Sequence, residues 1–214
     1  MNIPNTLSLC RIPILFAITL VLWIGMTGSL TQFQVAKSPT ENWMCSAAFV
    51  IFVIGGLSDW LDGYLARKLN QISDYGKLMD ALSDKVMMVG VFITLFAFGL
   101  YPFWSLFLIL LILSREFLIT GLRLVAAATG QVLAAEKSGK YKTVFQIISA
   151  GAILLAQAFK NDLGFWDSLW VQRLEQLGIL LFILASLLTV SSGASYVIKY
   201  WDLFTGKTPE KNKE

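Results

Sequence analysis

The chain has 214 residues, of which 56% are hydrophobic and only 14% are charged, and its mean hydropathy is +0.67. This composition is typical of a protein surrounded mostly by lipid, and it excludes an ordinary soluble domain. The net charge is only +3 and histidine is absent, so a metal ligand or general base must be a carboxylate or another oxygen donor rather than an imidazole.

Apolar runs of about 20 residues, the length that crosses a bilayer core, predict an all-α polytopic membrane protein. In chain order they cover residues 9–26, 43–67, 76–98, 103–128, 143–159 and 177–200, which predicts six transmembrane helices. A short interfacial segment containing Pro4 precedes the first helix. The second run is apolar only to Leu57 and then stays helical to Arg67 while it gains charge. We expect one membrane domain, residues 1–206, and a charged tail, residues 207–214.

Basic residues in the connecting loops predict the orientation. The loops on one side contain Lys37, Lys160 and Arg173, whereas the loops on the other side contain more basic residues. By the positive-inside rule the richer side is cytoplasmic, so both chain ends are expected to face the cytoplasm. The richer side carries Arg67, Lys68, Lys137, Lys140, Lys142, Lys207, Lys211 and Lys213.

Two pairs of aspartates lie at the charged end of the second predicted helix and the start of the third. Asp59 and Asp62 are three residues apart, and Asp80 and Asp84 are four apart, so each pair occupies one face of its helix. The short linker over residues 68–75 predicts that the two helices are antiparallel neighbours. The four carboxylates should then meet in a polar cavity near the cytoplasmic end of the apolar layer.

Four ionised carboxylates inside an apolar layer are costly without compensating cations. All-oxygen ligands favour Mg²⁺, Mn²⁺ or Ca²⁺ over Zn²⁺, and two such ions can bridge a diphosphate and neutralise its leaving group. The pattern therefore indicates a pyrophosphate substrate. Arg67 can reach phosphate oxygens, and Gly63 and Ala66 leave room for a ligand near the backbone. The alternative, helix-end charges that reach the membrane surface, fits four intramembrane acids less well.

The aspartates belong to a longer pattern that resembles the signature of the CDP-alcohol phosphotransferase family: Asp59-x2-Asp62-Gly63-x2-Ala66-Arg67-x8-Gly76-x3-Asp80-x3-Asp84. The resemblance implies that Asp59, Asp62 and Asp80 ligate metal and that Asp84 is a ligand or the base for the incoming hydroxyl. It also implies a CDP site that is lined by Asp59, Asp62, Gly63, Ala66, Arg67, Gly76 and Asp80.

Basic residues on and beyond the fourth helix bear on the acceptor alcohol. Arg115 and Arg123 are eight residues apart and share a broad face. They either pair with Glu116 and the aspartates as structural ions or bind an anionic substrate group such as a phosphate. Three lysines just outside the membrane either bind the same group or are ordinary solvated charges: Lys137, Lys140 and Lys142.

Further stretches resemble the branch of the family whose acceptor is sn-glycerol 3-phosphate: residues 3–11, 114–123 and 134–143. The resemblance implies phosphatidyl transfer from CDP-diacylglycerol, with release of CMP, in phospholipid biosynthesis. It further implies two bound Mg²⁺ or Mn²⁺ ions and a homodimer in the bacterial inner membrane, in contact with lipid and not with nucleic acid. Asn5 and Arg11 are weaker candidates on the nucleotide side. The outer connections, residues 27–42 and 160–176, differ in length from the usual pattern and lie far from the acids.

Three alternatives remain open at this point. Another acceptor, such as inositol phosphate or serine, would leave the aspartate pattern unchanged. An intramembrane prenyltransferase also binds diphosphate through magnesium and aspartates, although its acid motifs cluster differently. A cation-coupled transporter is less consistent with the sequence, since inverted repeats or broken helices are not evident.

Overall fold

The structure is a computed structural model that describes residues 3–27, 43–68, 74–128 and 138–200. Side chains within it are described except those of residues 3–9, 26, 27, 59–68, 74–78, 80, 81, 124, 125, 127, 128 and 138–140. The described part is all-helical, as predicted, and contains α1 (Ile3–Thr27), α2 (Met44–Lys68), α3 (Asp74–Ala97), α4 (Ser105–Ala128), α5 (Ser138–Gln157), a π-helical turn (Ala158–Asp162) and α6 (Leu169–Lys199).

Two element boundaries differ from the sequence prediction. The helix α1 is continuous from Ile3, so the predicted interfacial segment forms its first turns. The helix α6 begins at Leu169, and the prediction that residues 160–176 form one outer connection is therefore wrong. Arg173 and Glu175 are polar positions on an amphipathic first part of α6, whose Val171 is buried.

Several helices carry the length and surface of membrane spans. Among the described residues, Ser105–Arg123, Tyr141–Asp162 and Leu169–Lys199 are long and apolar enough to cross a membrane, and shorter apolar stretches cover Cys10–Gly25 and Met44–Ser58. Large apolar side chains face outward, as Phe107 (67% exposed) and Leu187 (60% exposed) illustrate. The chain is thus a membrane protein, while the number of six crossings stays a prediction.

Contacts along α1 and α2 show that these helices run antiparallel. Ile14, near the middle of α1, lies against Gly55, near the middle of α2. Gly25, near the end of α1, lies against Met44 at the start of α2. The absence of a Cβ at both glycines lets the two helices approach closely at each contact.

Contacts between α1 and α3 show that these two helices run parallel. Leu15 lies against Gly90, and the hydroxyls of Thr19 and Thr94 are 2.9 Å apart. Since Thr19 donates its own proton to the carbonyl oxygen of Leu15, Thr94 is the donor between the two hydroxyls. Because α1 is antiparallel to α2 and parallel to α3, the helices α2 and α3 are antiparallel, as the short linker predicts.

A cluster of aromatic rings joins α3, α6 and the turn before α4. Phe182 lies 5.2 Å from Phe92 and 4.7 Å from Tyr101, measured between ring centroids. The Tyr101 hydroxyl is 2.8 Å from Oγ of Ser149, which itself donates to the carbonyl oxygen of Gly178. Burial raises the pKa of Tyr101, although the Ser149 hydrogen bond opposes this, so the phenol stays protonated and donates to Ser149.

Polar contacts tie α2, α5 and α6 together at one end of the bundle. Oδ2 of Asp162, in the π-helical turn, accepts a hydrogen bond from the backbone nitrogen of Ser46 in the first turn of α2. Glu175 of α6 accepts hydrogen bonds from Gln157 and Lys160. The start of α2 therefore lies beside the end of α5, and the charged end of α2 lies at the opposite end of the bundle.

Candidate active site

The contact between α2 and α3 sets the level of the two aspartate pairs. Met87 of α3 lies against Gly55 of α2. Positions 59 and 62 follow Gly55 toward the end of α2, whereas positions 84 and 80 precede Met87 toward the start of α3. The farther member of each pair, position 62 or 80, is seven residues from the contact, which corresponds to a rise of about 10 Å along either helix. The backbone therefore brings both pairs to the same level of the bundle.

The side chains of the predicted metal ligands are only partly described. Asp84 is partly buried, whereas the side chains of Asp59, Asp62 and Asp80 lie outside the described residues. Within the described side chains, no group of three Asp, Glu, Cys or His residues is placed to hold a metal ion. That the four carboxylates meet stays a prediction. The backbone places the four positions at a common level of the bundle.

The other predicted nucleotide-side residues, and two of the lysines predicted to bind the acceptor phosphate, fall mostly outside the described side chains. Lys137 lies outside the described residues altogether, and the others lie in helices. Arg11 is described and is completely buried within α1. The residues known by their backbone alone are Asn5, Gly63, Ala66, Arg67, Gly76 and Lys140.

Three helices meet in a buried cluster of charges around Glu116 of α4. Oε1 of Glu116 accepts hydrogen bonds from Nζ of Lys142 on α5 and from Nη1 of Arg115 at 3.2 Å. The side chains of Glu116 and Arg115 are 13% and 15% exposed, and that of Lys142 is 7% exposed. Two cations therefore share one carboxylate in a poorly solvated place, so the three side chains together carry one net positive charge.

The helix α6 holds Arg115 from the other side. Nη2 of Arg115 donates to Oγ of Ser192 at 3.1 Å. Gly193 lets the arginine lie close to the α6 backbone, since a Cβ at this position would be 2.7 Å from Cγ of Arg115. Nε of Arg115 is buried and has no hydrogen-bond partner among the described residues. A buried donor without a partner is costly, so an acceptor from a ligand would be favourable here.

Two further cations lie near the cluster. Lys85, which follows Asp84 on α3, donates to Oγ1 of Thr120 at 2.7 Å, one turn beyond Glu116 on α4. Arg123 lies over the ring of Tyr196 on α6, with 5.7 Å between the guanidinium carbon and the ring centroid. Arg115 and Arg123 both contact α6 and thus share a broad face of α4, as their spacing predicts. Asp84, the neighbour of Lys85 in sequence, therefore lies near the cluster.

The structure decides between the two alternatives for Lys142 and adds residues that the sequence reasoning missed. An ordinary solvated charge is excluded for Lys142, because its side chain is buried against the countercharge of Glu116. Glu116 was considered only as a structural partner, and Lys85 and Ser192 were not considered. Lys85 is an intramembrane charge beside Asp84, a signal that could have identified it, whereas a serine on an apolar helix gives no such signal.

An apolar groove leads to this cluster. A cavity of about 270 Å³ lies between α3 and α4 and is walled by apolar side chains, with polar groups from Lys85, Glu116 and Thr120. The polar cavity predicted around the aspartates is a separate one and stays a prediction. Its apolar walls are formed by Leu15, Leu82, Val86, Val89, Gly90, Ile93, Leu113 and Phe117.

Comparison with known proteins establishes the class. The model of the CDP-alcohol phosphatidyltransferase family matches residues 1–205, and the chain belongs to this family. It is 35% identical to the CDP-diacylglycerol–glycerol-3-phosphate 3-phosphatidyltransferase of Bacillus subtilis, over 94% of this chain and 96% of that protein. A protein of the same name from Mycoplasma pneumoniae is 38% identical over 69% of this chain and 65% of its own length. Another, from Shigella flexneri, is 29% identical over 92% of this chain and 93% of its own length. The family predicted from the aspartate spacing is confirmed.

Proposed function

We propose that the chain transfers the phosphatidyl group of CDP-diacylglycerol to sn-glycerol 3-phosphate, giving phosphatidylglycerophosphate and CMP. The observation that carries this proposal is the common backbone level of the two aspartate pairs, together with the contact of Lys85, next to Asp84, with α4 one turn from the cation cluster around Glu116. The diphosphate donor requires carboxylates that can bind metal ions, and the phosphorylated alcohol requires cationic side chains. The reaction requires both kinds of group side by side. The relatives from Bacillus subtilis and Shigella flexneri match nearly the whole chain, and their name supports the same reaction.

The donor set at the aspartate level fits hard divalent cations. The candidate ligands Asp59, Asp62, Asp80 and Asp84 are all carboxylates, which suits Mg²⁺ or Mn²⁺, and the antiparallel register brings both pairs to one level. When bound there, two such ions would neutralise the diphosphate and stabilise CMP as a leaving group. The family resemblance makes Asp84, whose side chain is partly buried, the candidate base.

The proposed step makes and breaks one phosphorus–oxygen bond. The acceptor hydroxyl oxygen attacks the β-phosphorus of CDP-diacylglycerol, and the bond from this phosphorus to the oxygen of CMP breaks. Asp84 takes the hydroxyl proton, and CMP leaves with the bonding electrons. Gly63, Ala66, Arg67 and Gly76 would line the nucleotide site, where Arg67 holds phosphate oxygens.

The cation cluster would select a phosphorylated acceptor. Among the side chains described in this cluster, Arg115 and Lys142 together carry one positive charge more than Glu116 balances, and the nearby Lys85 and Asp84 have opposite charges. A dianionic phosphate monoester would compensate this excess in a poorly solvated place, whereas a neutral alcohol would not. Arg123, Lys137 and Lys140 are the further candidates for this phosphate.

The remaining features of the proposal concern the membrane. The apolar groove between α3 and α4 suits a substrate that has hydrocarbon chains and a charged headgroup. The distribution of basic loops supports six crossings, with both termini and the aspartates on the cytoplasmic side of the bacterial inner membrane. The family resemblance supports a homodimer.

An acceptor panel tests the proposed function. Purified chain in detergent would receive CDP-diacylglycerol with sn-glycerol 3-phosphate, inositol phosphate or serine in separate reactions, and the lipid products would be identified by mass spectrometry. We expect phosphatidylglycerophosphate from the first reaction and little product from the others. A product from serine or inositol phosphate instead would reject the proposed acceptor, although it would preserve the family chemistry.

A further inference from the structure

We infer that Glu116 is a positioning residue that holds Arg115 and Lys142 together as a receptor for the phosphate group of the acceptor. The inference rests on the proposed function, and it assigns Glu116 a part in acceptor binding without contact with the acceptor. It follows from the geometry of the cluster, in which one carboxylate oxygen joins cations from two helices.

The first step concerns the two cations themselves. Arg115 lies on α4 and Lys142 on α5, and both side chains are largely withdrawn from solvent. Two positive charges that share such a place repel one another strongly, because little water screens them. Their common bond to Oε1 of Glu116 opposes this repulsion and sets how far apart the two groups lie. Without the carboxylate, we expect the lysine and the arginine to separate.

The second step concerns the orientation of the guanidinium. Nη1 of Arg115 is bonded to Glu116 and Nη2 to Ser192, so the plane of the group is fixed between α4 and α6. Nε has no partner among the described residues, and it shares an edge of the guanidinium with Nη2. Such an edge matches two phosphate oxygens. Glu116 therefore aims the arginine as well as neutralising part of its charge.

The third step separates this role from simple charge balance. If Glu116 acted only as a nearby negative charge, it would repel a phosphate, and its neutral isostere would bind the acceptor more tightly. If Glu116 positions the cations, the neutral isostere binds the acceptor more weakly. The sign of the change in KM for glycerol 3-phosphate thus distinguishes the two roles.

The experiment compares wild-type enzyme with Glu116→Gln, both as full-length protein in detergent. We expect KM for glycerol 3-phosphate to rise by about tenfold or more, the effect of losing a hydrogen bond to a charged group. KM for CDP-diacylglycerol should stay within about twofold, since the nucleotide side does not depend on this carboxylate. An unchanged or lower KM for glycerol 3-phosphate would overturn the inference.

Glu175→Gln is the matched control. Glu175 also pairs with a lysine and a glutamine between two helices, but it does so at the opposite end of the bundle. Both KM values should stay unchanged in this variant. A rise in KM for glycerol 3-phosphate equal to that of Glu116→Gln would show that any lost ion pair has this effect and would reject the positioning role.

A double variant tests whether Glu116 acts through Lys142. In a Lys142→Gln background, the further change Glu116→Gln should raise KM for glycerol 3-phosphate much less than it does in the wild type, because part of the receptor is already absent. A full additional increase would overturn the inference. Should Glu116→Gln fail to fold, Glu116→Asp takes its place. Aspartate keeps the negative charge, but its shorter side chain moves the cations, so a rise in KM for glycerol 3-phosphate is again expected.

Failure of the inference and failure of the proposed function are distinguishable. Wild-type enzyme that makes no lipid product from glycerol 3-phosphate rejects the proposed function. Wild-type enzyme that turns over normally, together with an unchanged KM in Glu116→Gln, rejects the positioning role alone.

Discussion

Oδ2 of Asp162 lies 2.6 Å from the backbone nitrogen of Ser46, so a carboxylate at the end of the fifth helix caps the first turn of the second. The first N–H groups of a helix have no partner within the helix, and a carboxylate is a favourable one. The cap also fixes where α2 begins and hence the level that residues 59 and 62 reach.

Replacing this cap should destabilise the fold. We expect Asp162→Ala to lower the free energy of unfolding by about 1–2 kcal/mol, the usual cost of a lost helix cap. The melting temperature in detergent, followed by the fluorescence of a thiol-reactive dye or by light scattering, measures the effect. Asp167→Ala is the control, because Asp167 is exposed in the loop before α6. Equal melting temperatures of both variants would contradict the capping role.

A side chain at Gly193 should disturb Arg115. A Cβ at this position would lie 2.7 Å from Cγ and 3.3 Å from Nε of Arg115, so the arginine must shift in Gly193→Ala. We expect kcat/KM for glycerol 3-phosphate to fall by about tenfold, since small displacements of binding groups are costly. Gly151→Ala is the matched control on α5, where the new Cβ would meet Phe52 at an ordinary 3.5 Å. Equal activity of the two variants would show that the position of Arg115 does not matter.

Removal of the buried lysine should weaken acceptor binding. We expect Lys142→Gln to raise KM for glycerol 3-phosphate by about tenfold or more, because a charge-assisted contact to phosphate is lost. Initial rates over a range of acceptor concentrations measure the change. Lys160→Gln serves as the control, since Lys160 pairs with Glu175 at the far end of the bundle. A normal KM in Lys142→Gln would leave the lysine with a structural role.

Asp84 should be required for turnover. We expect Asp84→Asn to lower kcat by about a hundredfold or more, the usual contribution of a general base, while the variant keeps its fold. Release of CMP measures turnover, and a sharp, monodisperse gel-filtration profile reports folding. Substantial CMP release by a well-folded variant would refute the assignment.

Chelation of divalent cations should abolish activity reversibly. If the four aspartates hold Mg²⁺ or Mn²⁺, EDTA removes the ions and readdition of either metal restores turnover. The same protocol applied to Asp84→Asn should give no recovery. Full activity after exhaustive chelation would contradict a role of bound metal.

The sequence predicted the overall helical pattern and the antiparallel direction of α2 and α3 well, because both depend on local features. Apolar runs define helices, and the direction of α3 relative to α2 follows from a linker too short for any other arrangement. The start of α6 was misplaced because Arg173 and Glu175 make an amphipathic turn look like a loop. A pattern of polar residues cannot distinguish these two cases when tertiary contacts decide between them.

The cluster around Glu116 could not be predicted in the same way. Its members come from α3, α4, α5 and α6, and their pairing depends on how helices far apart in sequence pack. Basic residues near a predicted helix end resemble solvated charges, so a solvated Lys142 remained an alternative. Only the folded structure shows that Glu116 of α4 reaches Lys142 of α5 and balances its charge.

The most direct test of the proposed chemistry is a stoichiometric assay. Purified chain would be incubated with CDP-diacylglycerol, sn-glycerol 3-phosphate and Mg²⁺, and both the released CMP and the phosphatidylglycerophosphate would be quantified in the same reaction. We predict equal molar amounts of the two products and none of either without the acceptor. Lipid product without CMP, or CMP without the phosphorylated lipid, would contradict phosphatidyl transfer to glycerol 3-phosphate.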